Sequence, residues 1–163
     1  MMMLFNLGTF TIVHVAISLI GIVTGLVMLV GLLTAKRLGG WTALFLISTV
    51  ATSVTGFFFP YHGFTPAIGV GVISMLLLVI AILTRYAGHL NGASRWLYVL
   101  TAMMALYLNV FVLIVQSFQK IPALKAMAPT QTELPFLVAQ VAALVLFVVL
   151  TISAMIKFHP RPV

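Results

Sequence analysis

Residues 10–33 read FTIVHVAISLIGIVTGLVMLVGLL, a run without lysine, arginine or acid, followed at once by Lys36-Arg37 and Gly39-Gly40. About 20 mainly apolar residues in a helix cross a bilayer core, so this run is long enough to span one. The rest of the chain repeats the pattern. Apolar runs fall at about 41–59, 66–84, 96–118 and 135–156, each within the length a crossing needs. Pro60 stops the second run because proline removes a helix donor. Thr65-Pro66 supplies an N-cap and a proline at the first helical position for the third. The reading is an all-α, polytopic membrane protein, with residues 1–163 forming one bundle of five transmembrane helices.

Composition agrees. Of 163 residues, 63% are hydrophobic and 6% charged, and the mean hydropathy is +1.29. A soluble domain carries about 25% charged residues, so an aqueous surface of this size cannot be covered. Cysteine is absent, which excludes a disulfide scaffold, thiol catalysis and Cys-ligated metals. The first run is too long for a signal-peptide core and lacks a basic segment before it, so it is expected to remain as a span.

The net charge of +7 does not point to nucleic acid, because the basic residues stand singly or in pairs without interleaved aromatics. They sort by side instead. Lys36, Arg37, Arg85, Arg95, Lys157 and Arg161 fall on one side of the five-span layout, and Lys120 and Lys125 fall on the other with the sole acid, Glu133. Basic loops stay in the cytoplasm. The N-terminus is therefore expected outside and the C-terminus inside, with the basic side against anionic headgroups. In the outer connection, residues 122–128 allow one or two helical turns at the interface, but an ordinary capped loop is the favoured reading, with Thr130 and Glu133 fitting a capping box for the last span.

Polar residues within the runs turn inward, since hydrocarbon offers them no partner. His14, Ser18, Gly21 and Gly25 share one stripe of the first helix, and Gly21-xxx-Gly25 permits close helix packing. The second helix carries Ser48, Thr49, Thr52, Ser53 and Thr55. Asn109 and Gln116 share a stripe of the fourth, and Gln140 lies on the fifth. His14, Ser53, Thr55, Gln116 and Gln140 fall at one outer depth, above inner halves rich in Leu, Val, Ile and Ala. That belt over an apolar floor reads as an outward-facing pocket, with His14, Thr55, Asn109, Gln116 and Gln140 as ligand candidates. Two readings of His14 stand side by side: a hydrogen-bonded structural residue, or a ligand to b-type haem, metal or quinone, with His62 as partner for a haem or metal. With Glu133 the only carboxylate, paired acid–base chemistry is absent. The expectation is a non-enzymatic module, self-associating or part of a larger membrane assembly.

The segments Thr52-Ser-Val-Thr-Gly-Phe-Phe-Phe-Pro60, Arg85-Tyr86 and Ala128-Pro-Thr-Gln-Thr-Glu-Leu-Pro-Phe136 resemble a family of small uncharacterised bacterial inner-membrane proteins. The resemblance runs over most of the chain and implies a multi-pass location in that membrane, with no activity to carry over. His14 also gives a looser likeness to b-type cytochrome membrane domains, although Lys36-Arg37 stands where such a domain would place its partner histidine.

Reporter fusions at Ala35, Gly63, Asn91, Ala126 and the C-terminus should read inside, outside, inside, outside, inside. A C-terminal reporter found outside would contradict the orientation.

Overall fold

The computed structural model describes residues 7–60 and 63–159; Met1–Met3, His62 and Arg161 lie outside the described residues. Six helices follow in order: α1 (Leu7–Leu33), α2 (Gly39–Gly56), α3 (Pro66–Ile82), α4 (Ala93–Lys120), α5 (Pro122–Met127) and α6 (Leu134–Lys157). Helix makes up 83% of the described residues, with no strand among them, so most backbone donors and acceptors find partners within their own helix, as hydrocarbon requires.

Among the described residues, four helical stretches are long and apolar enough to cross a membrane: Gly8–Leu33, Pro66–Ala87, Ala93–Lys120 and Leu134–Lys157. The second helix, α2, expected as a fifth span, is not among them. It has 18 residues, but its two leading glycines and its serines and threonines dilute its hydropathy. These four helices make the chain a multi-pass membrane protein.

Local chemistry sets the ends. Thr65 caps α3 as its sequence suggests, its Oγ1 accepting from Ile68 N at 3.4 Å. Ala35 takes the left-handed conformation after α1 (φ 56°). Lys36 N then reaches Gly31 O at 2.8 Å, closing the turn that usually needs glycine. The second helix stops at Gly56, short of Pro60. Phe57, Phe58 and Phe59 N–H donate three residues back, a tightened last turn that anticipates the proline. Beyond Ile82, α3 widens into a π turn, Leu83–Ala87. The capping box is corrected. Thr130 N donates to Glu133 Oε1 at 3.2 Å, but the Thr130 hydroxyl donates to the same carboxylate instead of accepting from the helix. The residue before α6 is Glu133 itself. Desolvation pushes the Glu133 carboxyl up, and donors from Thr130 and Thr132 outweigh it, holding it below the usual carboxylate value.

The packed core lies toward one end of the bundle. Met28 and Leu32 of α1, Phe45 of α2, Leu78 and Ala81 of α3, Tyr98, Val99, Ala102, Met103, Ala105 and Leu106 of α4, and Ala154 of α6 form it. Arg85 Nη2 donates to Arg37 O at 3.0 Å, so α1 and α3 both finish at this end. Arg95 Nη1 donates to Met155 O and Phe158 O at 3.2 and 2.7 Å, a cation satisfying the last carbonyls of α6. Glycine lets the helices close on this core. A Cβ on Gly25 would stand 2.5 Å from Leu106 Cδ1 and 2.8 Å from Phe45 Cδ2.

Gly25→Leu should therefore force α1 off α2 and α4 and cost about 1–3 kcal/mol, read as a lower thermal midpoint in detergent. Gly8→Leu, where nothing lies within 4 Å, should leave the midpoint unchanged. Equal midpoints for the two variants would contradict the packing.

Candidate functional site

Away from the core the helices diverge around a cavity of about 640 Å³. Four helices wall it: the first half of α1, the end of α2, the start of α3 and the second half of α4. Its apolar lining includes Val15, Ile22, Phe57, Ile68 and Val112. Its polar lining includes His14, Ser18, Thr52, Ser53, Ser74, Asn109, Gln116 and Lys120.

His14 is held by α2. Its Nδ1 lies 2.8 Å from Thr55 Oγ1, and Thr55 Oγ1 lies 2.7 Å from Ala51 O. A hydroxyl has one proton. With that proton spent on the Ala51 carbonyl, Thr55 accepts, and the His14 Nδ1–H donates. A neutral His14 then carries its lone pair on Nε2, which has no hydrogen-bond partner among the described residues. Phe59 packs edge-on against the ring at 5.1 Å, fixing its orientation.

The helical hydroxyls differ in how they are satisfied. Ser18, Thr24, Thr55, Thr84, Thr101, Ser117, Thr151 and Ser153 each donate to the carbonyl four residues back, the usual self-satisfaction of a hydroxyl in a membrane helix. Thr52, Ser53 and Ser74 line the cavity and make no such bond. Thr52 Oγ1 is buried without a hydrogen-bond partner among the described residues.

Asn109 lines the cavity and donates through Nδ2 to Thr49 Oγ1 at 3.2 Å, tying α4 to α2. Gly21 faces this junction, where a Cβ would come 3.3 Å from Thr49 Oγ1. Gln116 lines the cavity. Gln140 goes elsewhere: its Nε2 donates to Phe111 O at 3.3 Å, fastening α6 to α4, and it is not part of the lining. Thr55 touches the site only through His14. Lys120 went unnoticed in the sequence as anything but a charge marker. Yet Asn109, Gln116 and Lys120 continue one helical stripe at spacings of seven and four, and extending it would have found the lysine. Ser74 has no comparable sequence signal.

A metal or haem at His14 would bind through Nε2, since Nδ1 is engaged. Among the described residues no group of three His, Cys, Asp or Glu gathers to hold a metal ion. His89, set by the π turn after α3, and His159, past the end of α6, belong to the end where Arg37, Arg85 and Arg95 lie, and His62 lies outside the described residues. The described residues thus offer haem a single axial nitrogen.

Comparison of the chain with family models, curated proteins and solved structures returns no match.

In ¹⁵N spectra of the labelled protein at neutral pH, His14 should show a protonated Nδ1 and an unprotonated Nε2. Thr55→Val should remove that preference, and a His14/Thr55 double-mutant cycle should give a coupling of about 0.6–2 kcal/mol. The opposite tautomer would contradict the assignment.

Proposed function

We propose that the chain is a five-span binding module of a bacterial inner membrane, N-terminus outside and C-terminus in the cytoplasm, which holds an amphipathic small molecule in the outer half of the bundle. Several features support a fifth crossing by α2. Its 18 residues rise about 27 Å at 1.5 Å each, close to the thickness of a bilayer core. Since α1 and α3 finish at the same end, α2 must carry the chain back between them. The basic residues at that end favour a cytoplasmic position.

The observation that carries the binding role is the set of uncommitted polar atoms in the cavity. Thr52, Ser53 and Ser74 do not bond back to their own helices, and His14 presents an acceptor at Nε2. Hydroxyls left this way in an apolar bundle cost free energy unless something else satisfies them. The volume falls within the range of small-molecule pockets, about 300–1,000 Å³. An occupant would bring a donor, such as a hydroxyl or amide N–H, to His14 Nε2. It would bring acceptors to Thr52 and Lys120, and an apolar body to Ile22, Ile68 and Val112. With Glu133 the sole acid, this is a module that holds its ligand rather than one that transforms it, acting alone, as a homo-oligomer or within a larger assembly.

A redox reading has one observation in its favour, the free Nε2. A hydroquinone fits it better than a quinone, because a neutral His14 with Nδ1–H engaged can only accept there.

Gentle purification followed by solvent extraction and mass spectrometry tests the proposal. The wild type should release a hydroxyl- or amide-bearing amphiphile in near-stoichiometric amount. Val112→Trp, which fills the cavity without touching the His14–Thr55 or Asn109–Thr49 bonds, should fold and release none. Equal recovery from both proteins would contradict the pocket. A Soret band lost in both His14→Gln and His14→Leu would establish haem instead.

A further inference from the structure

One permanent charge lines the cavity, that of Lys120 in the last turn of α4. Lys120 is also exposed, so it stands at the rim. Its charge acts on the His14 ring, which lines the same cavity. One turn before it on α4, Gln116 belongs to the lining too, and its amide makes no hydrogen bond among the described residues.

No carboxylate side chain neutralises the lysine. Glu133, the sole acid of the chain, is occupied in its own connection. Its Oε1 accepts from Thr130 N and Thr130 Oγ1 at 3.2 and 2.8 Å, and its Oε2 from Thr132 N at 3.1 Å. The Lys120 ammonium makes no ion pair or hydrogen bond among the described residues. The α4 wall that it ends includes Leu108, Val112 and Leu113, apolar surface that offers a cation nothing. A charge beside such low-dielectric walls attracts an anion more strongly than the same charge in open water.

We propose that the occupant of the cavity is an acid, a single-chain amphiphile whose carboxylate or phosphate sits at the rim on Lys120. This rests on the binding role proposed above and names the class of ligand. The two polar ends of the site divide the recognition. An ammonium has donors only, whereas the Nε2 of a neutral His14 only accepts. An ionised acid group therefore belongs at Lys120, and the ligand's hydroxyl or amide N–H belongs at His14. A lysine is a point charge and holds either kind of acid group. The apolar chain follows the α4 wall, which from Leu108 to Lys120 rises about 18 Å at 1.5 Å per residue.

Equilibrium binding to the whole chain in an uncharged detergent tests the proposal with two matched pairs of radiolabelled probes. One pair is a long-chain β-hydroxy fatty acid and its methyl ester; the other is lysophosphatidate and lysophosphatidylcholine. The wild type should bind at least one acid about ten-fold more tightly than its counterpart without net charge, between the worth of an exposed ion pair and that of a buried charge-assisted bond. Whichever pair shows the preference identifies the acid group, and either upholds the proposal. Lys120→Gln should abolish the preference and leave the counterpart's affinity unchanged, and Lys120→Arg should keep it. Lys125→Gln, on α5 and outside the lining, should keep it as well. Equal affinities within both pairs, no binding of any probe, a preference that survives Lys120→Gln, or one lost equally in Lys125→Gln would overturn the proposal. If the probes bind without preference and Val112→Trp abolishes that binding, the cavity stands as a site without an acidic ligand. Binding that survives Val112→Trp overturns the cavity and the proposal together.

Discussion

The structure depends on one inverted helix. Along α2, Thr42, Ser48, Thr49 and Ser53 are buried, while Leu44, Ile47 and Val54 are exposed. Ile47 is 66% exposed and Thr49 0%, the reverse of what water would select. It is the order that hydrocarbon would select, because a hydroxyl facing lipid loses its partners and a leucine facing lipid loses nothing, and it fits the proposed fifth crossing by α2. Placing this helix between α1 and α3, with α4 tied to it through the Asn109–Thr49 bond, gives its polar face somewhere to go.

Both ends of the bundle follow from how that face is met. Toward the basic end, Gly25 lets α1 close on Phe45 and Leu106, and large apolar side chains fill the space completely. Toward the other end α2 offers Thr52, Ser53 and Thr55, and α1 offers His14 and Ser18. These side chains are too short to fill the gap to α3 and α4, so a cavity remains. A packed floor and a polar chamber above it thus come from one change in side-chain size and chemistry along a single helix pair.

Hydropathy and punctuation made the helices legible in the sequence. Apolar runs, Thr65-Pro66 and Pro60 located their ends to within a few residues, while residues 122–127 form a short helix where the sequence favours an ordinary loop. Depth was legible too: His14 and Thr55 sit at the same level and meet at 2.8 Å. Azimuth was not. Gln140 shares that depth but turns to the Phe111 carbonyl, because which neighbour a helix face meets depends on the order of helices around the bundle. The same gap hid Ser74 and the meeting of Arg85 with Arg37, which a π turn and a glycine-led helix bring together across 48 residues. Half of the capping box was legible: spacing brings the Glu133 carboxylate to the Thr130 N–H, while the direction of the Thr130 hydroxyl proton is set by local geometry.

Because the chain contains no cysteine, single cysteines for spin labels can be introduced one at a time, and the orientation of α2 can be read directly in bilayers. A label at Ile47 should collide readily with oxygen, which concentrates in lipid, and hardly at all with a water-soluble nickel complex. A label at Ser53, facing the cavity, should show clearly lower oxygen accessibility than the label at Ile47. Higher oxygen accessibility at Ser53 than at Ile47 would mean that α2 presents its hydroxyls to lipid, and the account of the bundle and its cavity would be wrong.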